Sequence, residues 1–306
     1  MDLTGKTVAV TGASGMIGVY ICRSLLRTGA TVIGVVRNPS KAEFLAREGV
    51  QFRKADLADV SALTTAFSGC DAVVSNAAMY VVQKSMHAWA EHEKANLDGT
   101  RNVCEAAQHA GVKRVVHIST FGIYRWSIFR PLTEQSPQLN GAKRQGGPYR
   151  ATKQTSEALA WDLARQHQLN MTTLRPTAVY GARDNNFLRP LYRLLKLPII
   201  PMPSIRFPVV YAGDVADAVV GALKNEASIG QAYNVGGADL QIADIVQAVA
   251  EQVPRQRQVY ALRLPVSIRI DNSKAERDLG FRNRPFTEGI REILQEDALP
   301  RHLRAS

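Results

Sequence analysis

The sequence predicts an α/β fold, a doubly wound parallel sheet with a smaller, discontinuous C-terminal domain. Three observations carry that expectation. Short β-branched runs alternate with helix-length segments along the first half of the 306-residue chain. A glycine triplet joins the first run to the first such segment, and proline-rich and mixed stretches interrupt the alternation beyond residue 176.

The runs at 6–10, 31–36, 71–76 and 114–119 are apolar almost throughout, as strands covered on both faces are. Helix-length segments lie at 16–28, 40–48, 61–67 and 91–110. Strands alternating with helices imply a parallel sheet wound on both faces.

The triplet Gly12, Gly15 and Gly18 sits in "VTGASGMIG", between the first strand and the first helix. That is the context of a dinucleotide-binding turn. One glycine permits the tight turn, the next lets a pyrophosphate approach backbone, and the third lets helix pack on strand. The helix N-terminus adds free N–H groups and a positive dipole end. The spacing departs from G-x-G-x-x-G by one residue. A Rossmann-type sheet follows, with Ser14, Met16 and Ile17 also within the cofactor turn. An acid commonly ends the second strand of NAD-binding folds to take the ribose hydroxyls. Here Arg37 stands in its place, with Lys41 nearby, which favours the 2′-phosphate of NADP(H) and leaves NAD(H) open. Asp56 and Leu57 suit the edge and face of adenine. Asn76, Ala77 and Ala78 are small residues at the next strand end, where a cofactor can lie against the chain.

Further apolar runs at 171–181 and 207–223 extend the alternation, while "RPLYRLLKLPIIPMPSIR" (189–206) breaks it. The expected division is a dinucleotide-binding domain over 1–175, rejoined at about 207–235, and a substrate-binding domain from 176–206 and 236–306.

The composition, 45% hydrophobic and 21% charged, is that of an ordinary soluble globule. The first ten residues have no long apolar core and no apolar run reaches the length of a membrane span, so a cytoplasmic protein with no membrane partner is expected. Cys22, Cys70 and Cys104 are scattered within apolar segments, without metal-ligand spacing, and no metal is expected. His87 and His92 read as surface helix residues. The net charge of +11 suits an anionic partner, but there is no Lys/Arg block or nucleic-acid-binding signature, so no nucleic acid is expected. The expected partner is a small-molecule substrate, anionic by the charges near the site; a homodimer is left open.

Tyr149 and Lys153 in "PYRATK" are four apart, one face of a helix and about 6 Å along its axis. An ammonium beside a phenol favours the phenolate and supplies a general acid/base for a carbonyl or alcohol. Ser119 and Thr120 end the preceding strand with hydroxyls able to hold a substrate oxygen.

With "TGASGMIG", "ANLDGT", "HISTFGIY", "YRATK", "LRPTAVYG", "GDVADAVV", "YNVGG" and "SKAERDLGF" together, the chain resembles an extended short-chain dehydrogenase/reductase of the NAD-dependent epimerase/dehydratase type. That group includes sugar-nucleotide epimerases, hydroxysteroid dehydrogenases and dihydroflavonol-type reductases. The resemblance implies Tyr149 as acid/base, Lys153 on the nicotinamide ribose, and Thr120 as the catalytic hydroxyl, with Ser119 its close rival. It also implies a supporting role for Asn96, and Pro176 at the nicotinamide pocket. Where many relatives have glycine after "VY", this chain has Arg125; Arg125 and Arg183 are the expected substrate contacts. The implied activity is an NADP(H)-dependent oxidoreductase acting on a secondary alcohol or carbonyl. An epimerase that retains its cofactor is the near alternative. An inert dinucleotide-sensing or nucleic-acid-binding module is a third, opposed by the intact Tyr149 and Lys153.

Overall fold

The computed structural model describes residues 1–76, 86–184, 187–197, 199–251 and 258–296. In the first half, β1 (Thr7–Thr11), α1 (Met16–Arg27), β2 (Thr31–Val36), α2 (Glu43–Arg47), β3 (Gln51–Lys54), α3 (Val60–Phe67) and β4 (Ala72–Ser75) alternate. They are followed by α4 (Met86–His92), α5 (Gly99–His109), β5 (Arg114–Ile118), α6 (Gly147–Gln166), β6 (Asn170–Pro176) and β7 (Ala178–Tyr180). The remainder comprises α7 (Leu188–Leu194), β8 (Ile199–Tyr211), α8 (Ala212–Lys224), β9 (Ala232–Val235) and β10 (Ala238–Gln241). The last elements are α9 (Ile242–Ala250), β11 (Gln258–Ser267), α10 (Ser273–Leu279) and α11 (Phe286–Glu296).

Seven parallel strands form the large sheet in the order β3-β2-β1-β4-β5-β6-β9. Strand order reverses between β1 and β4, and such sheets bind ligands at the carboxyl ends beside that switch point. Alternate residues of each strand face opposite sides. Val8, Val10, Val32 and Val74 pack toward α1 and α8, while Ala9, Ile33, Val73 and Val115 pack toward α3, α5 and α6. Both faces are therefore covered, which explains strands that read as apolar throughout.

A second, four-stranded sheet contains β10, β8 and β11, with β7 also pairing β8. All of β8, through Tyr211, belongs to it. The return to the large sheet expected from about 207 therefore begins with α8, which packs on α1, and continues into β9. The sequence pattern could not show this because residues 207–212, spanning the end of β8 and the start of α8, are apolar throughout.

Candidate active site

The glycine turn is built for close approach. Gly12 adopts φ 65°, a left-handed conformation open to glycine at little cost. A Cβ on Gly18 would stand 2.2 Å from the Gly12 carbonyl oxygen and 2.8 Å from Ala13 Cα, so helix and strand touch backbone to backbone there. Gly15 caps α1 without a side-chain hydrogen bond to the first turn. Ser14 and Gly15 are exposed and Met16 and Ile17 half-buried. A turn bare of side chains, before helix N–H groups that no cap satisfies, fits a dinucleotide pyrophosphate.

The neighbouring strand ends continue the same edge. Arg37 is exposed directly after β2, and Asn38 accepts from Ser40 N–H to start the short turn Pro39–Ala42. Lys41 lies in that turn, its side chain outside the described residues. Asp56 follows β3 and its Oδ1 accepts from Ala58 N–H at 2.9 Å. Leu57 packs on Gly99, where a Cβ would lie 3.2 Å from its Cδ1, and its carbonyl accepts from Asn102 Nδ2 at 2.7 Å. Asn76 N–H donates to Thr11 Oγ1 at 3.0 Å, tying the ends of β4 and β1 across the switch point. Ala77 and Ala78 lie outside the described residues. Pro176 is buried at the end of β6, opposite Val235.

Helix α6 enters this edge from the side. Gly146 and Gly147, at φ 84° and 83°, turn the chain into α6, and Pro148 occupies its first turn, a position that lacks a helical acceptor anyway. Tyr149 is half-buried, whereas Lys153, one turn on, is 3% exposed. Lys153 Nζ donates to the Ile118 carbonyl at 2.8 Å, which joins α6 to the end of β5 one residue before Ser119. Burial pushes the Lys153 amine down to about 8, opposed by the Glu157 carboxylate. Thr120 Oγ1 accepts from Gly122 N–H at 3.1 Å, capping the turn Phe121–Ile123 while keeping its own proton to donate. Ser119 Oγ is buried with no hydrogen-bond partner in the structure.

Two histidines join this cluster. His117, two residues before Ser119 on the same face of β5, is 3% exposed with Nε2 unpartnered. Burial, reinforced by nearby Lys153, pushes it down to about 3, so it is neutral throughout the working range. His92 is a correction: expected on the surface, it is fully buried, with its ring edge-on to Tyr149, centroids 6.2 Å apart at 64°. Its Nδ1 lies 3.4 Å from Asn96 Nδ2, which in turn donates to Thr152 Oγ1 at 3.1 Å on α6. Residues Glu93–Asp98 form a π-helical turn that follows His92, and both His92 and Asn96 lie on the α6 side. The side chain of His87 lies outside the described residues.

Beneath the site, Arg175 of β6 donates to Glu157 at 3.0 Å and to Tyr124 Oη at 2.7 Å, and Tyr124 donates to Asn234 Oδ1 at 2.7 Å. This buried chain fixes α6 against the ends of β6 and β9. Arg125 is exposed just past Tyr124, beside the mouth. Arg183 is placed differently from the expected substrate contact. A left-handed backbone, φ 66°, turns it so that its guanidinium lies 3.6 Å from the Phe44 ring centroid and 3.9 Å from Glu296. These contacts put it on the α1–α2 flank rather than with Tyr149. Arg144 likewise stacks over Trp89, 4.8 Å from its centroid, and pairs with Glu93.

Sequence reasoning passed over His117 and Arg150 and read His92 as a surface residue. The two histidines had a usable signal: His117 shares a strand face with Ser119, and His92 stands four residues before Asn96. Arg150 did not, since its role is to donate to the carbonyls of Gly122 and Tyr124 at 2.7 and 2.8 Å, a contact across 26 or more residues. Among the described residues there is no group of three or more His, Cys, Asp or Glu arranged to hold a metal, and no helix long and apolar enough to cross a membrane.

A sequence profile of the NAD dependent epimerase/dehydratase family matches residues 8–236. The chain belongs to that family. Cinnamoyl-CoA reductase 1 of Arabidopsis thaliana is 33% identical over 189 residues, 58% of this chain and 54% of the reductase. The chain thus matches about half the length of that curated relative. UDP-glucose 4-epimerase of Mycolicibacterium smegmatis is 30% identical over 309 residues, covering 94% of this chain and 96% of the epimerase. The solved UDP-glucose-4-epimerase of Stenotrophomonas maltophila, with bound NAD and formylated UDP-arabinopyranose, shares the fold with a TM-score of 0.82. Its identity is 24%, over 95% of this chain and 97% of that one. The family is one of oxidoreductases and epimerases, and its description names NAD.

Proposed function

We propose that this member of the family is an NADP(H)-dependent oxidoreductase acting on a secondary alcohol or carbonyl carbon, with Tyr149 moving the proton. The observation that supports it most is the bond from Lys153 Nζ to the Ile118 carbonyl, because it holds the Tyr149 helix against the strand end carrying Ser119 and Thr120. A nicotinamide held at this sheet edge would supply or accept the hydride. Tyr149 Oη is then the acid for a developing alkoxide or the base for an alcohol, and Ser119 or Thr120 orients the substrate oxygen. Lys153, desolvated and held at the strand end, places positive charge beside the phenol and a donor for ribose hydroxyls. His92 and Asn96 hold the Tyr149 face of α6 from the other side.

The preference for NADP(H) rests on Arg37, exposed after β2 where a 2′-phosphate would be met, with no acid at that position. The epimerase reading stays beside it because the relative matched along nearly its whole length is an epimerase. Fluorescence titration with NADPH and NADH, and native mass spectrometry of the purified protein, separate the two readings. A reductase exchanges its cofactor and prefers NADPH, whereas an epimerase retains a dinucleotide through purification. Equal affinity for both nucleotides removes the NADP(H) assignment.

A further inference from the structure

The large hydrophobic side chains exposed among the described residues all belong to the loop after Tyr124, α7 and the turn after it, β8 and β11. Trp126, Ile128 and Phe129 project from the loop after Tyr124, and Phe129 is 82% exposed. On β11, Arg263 reaches Asp244 of α9 at 3.0 Å, so odd-numbered residues face that helix. Strand alternation then puts Tyr260, Leu262 and Leu264 on the uncovered face, and Leu262 is 69% exposed. Ile199, paired with Gln258 in parallel register, shares that face.

These segments meet one another. Arg269, just past β11, donates to the Phe129 carbonyl at 3.1 Å, and Leu132 N–H donates to the Arg269 carbonyl at 2.9 Å. The Trp126 ring lies 5.7 Å from Phe207 of β8 and stacks on Phe121 at 5.2 Å, the residue after Thr120. Arg150, the residue after Tyr149, places its guanidinium 4.1 Å from the Trp126 centroid. The apolar surface is thereby continuous with the catalytic mouth.

Its charge has one sign. Residues 125–133 contain Arg125 and Arg130, and residues 187–197 contain Arg189, Arg193 and Lys196. Residues 199–206 contain Arg206, and 258–270 contain Arg269 besides Arg263, which pairs with Asp244 on the other face; none of the four segments contains an aspartate or glutamate. A soluble anionic substrate accounts for cations but not for phenylalanine and leucine held out in water. A nucleic acid has no use for an exposed aliphatic strand face. Cations interspersed with exposed aromatic and aliphatic side chains match a surface that enters the interface of an anionic bilayer, its apolar groups below the headgroups and its cations among them.

We infer that this face docks peripherally on an anionic lipid bilayer, so that the mouth beside Thr120 and Tyr149 opens onto the membrane surface. The docking does not depend on which reaction the site performs. Sedimentation of the full chain with phosphatidylcholine vesicles, with and without phosphatidylglycerol, tests it. The expected result is at least about tenfold stronger association with the anionic vesicles, weakened by salt, as several cations near a charged surface require. Phe129→Glu and Leu262→Glu should each abolish it, and Arg193→Glu with Lys196→Glu should lower it at least about tenfold. All should keep wild-type NADPH affinity and thermal midpoint, because these side chains are exposed. Three results would overturn the inference: no association at low salt; equal association with neutral vesicles; or a dimer, seen by light scattering, that Leu262→Glu dissociates while the wild type ignores vesicles. The last would make this face a contact between two copies of the chain.

Discussion

Acid should weaken this fold through one residue beneath the catalytic lysine. His117 is pushed from its ordinary 6.5 down to about 3 by burial and by Lys153. Its proton is taken up by the unfolded chain as the pH falls below 6.5, but by the folded chain only near 3. Its contribution to stability is therefore whole above about 6.5 and is lost progressively on going down toward 3. Each pH unit within that window costs about 1.4 kcal/mol, so the loss is about 2 kcal/mol at pH 5 and approaches about 5 kcal/mol at pH 3. Thermal unfolding of wild type and His117→Gln at pH 8, 6.5 and 5 isolates this share, since glutamine does not titrate and the carboxylates are common to both. At about 2 °C per kcal/mol for a chain of this size, the wild-type midpoint should fall about 4 °C further than that of the variant between pH 8 and pH 5. Parallel curves would refute the reasoning, because they would mean that the imidazole is either protonated in the folded protein or open to water.

The remaining expectations concern the site. Tyr149→Phe should bind cofactor nearly as the wild type does and lose about 10²–10⁴ in turnover, which full retained activity on a true substrate would contradict. Cofactor affinity should weaken as the pH rises through about 8, where buried Lys153 loses its charge, and titrations with Lys153→Met should lose this dependence. Arg37→Asp should reverse a preference for NADPH over NADH, a change of about 1.5–3 kcal/mol in line with other charge-assisted contacts, read by fluorescence titration. Gly18→Ala forces a methyl to 2.2 Å from the Gly12 oxygen; denaturant unfolding should show a loss of about 1–3 kcal/mol, together with weaker dinucleotide binding.

The parts of the molecule that could be read from sequence are those where a local pattern and a tertiary role coincide. The large sheet is one case, because burial on both faces forces unbroken apolar runs and parallel pairing forces helices between them. The glycine turn is another, since its three residues satisfy a backbone contact spanning only six positions. The second sheet lacked such a signal. β8 contains three prolines, at 201, 203 and 208, and β11 pairs with it from about 60 residues away, so neither strand shows the alternation that a half-covered face usually imposes. Its uncovered side is apolar as well, which erases the period-two contrast from which strands are recognised.

The site divides along the same line, and His92 shows why. By composition, "MHAWAEHE" reads as an exposed helical stretch, with acids and histidines in half of its positions. What buries His92 is packing against α6: it ends α4, shares a side with Asn96 four residues on, and its ring meets that of Tyr149. Asn96 reaches Thr152 and His92 the ring of Tyr149, so the histidine that reads as a surface residue also fastens α6. Tyr149 and Lys153 were readable because α6 is regular over both of them. Their support was not, because His92 and Asn96 supply it from a separate helical stretch whose composition reads as exposed.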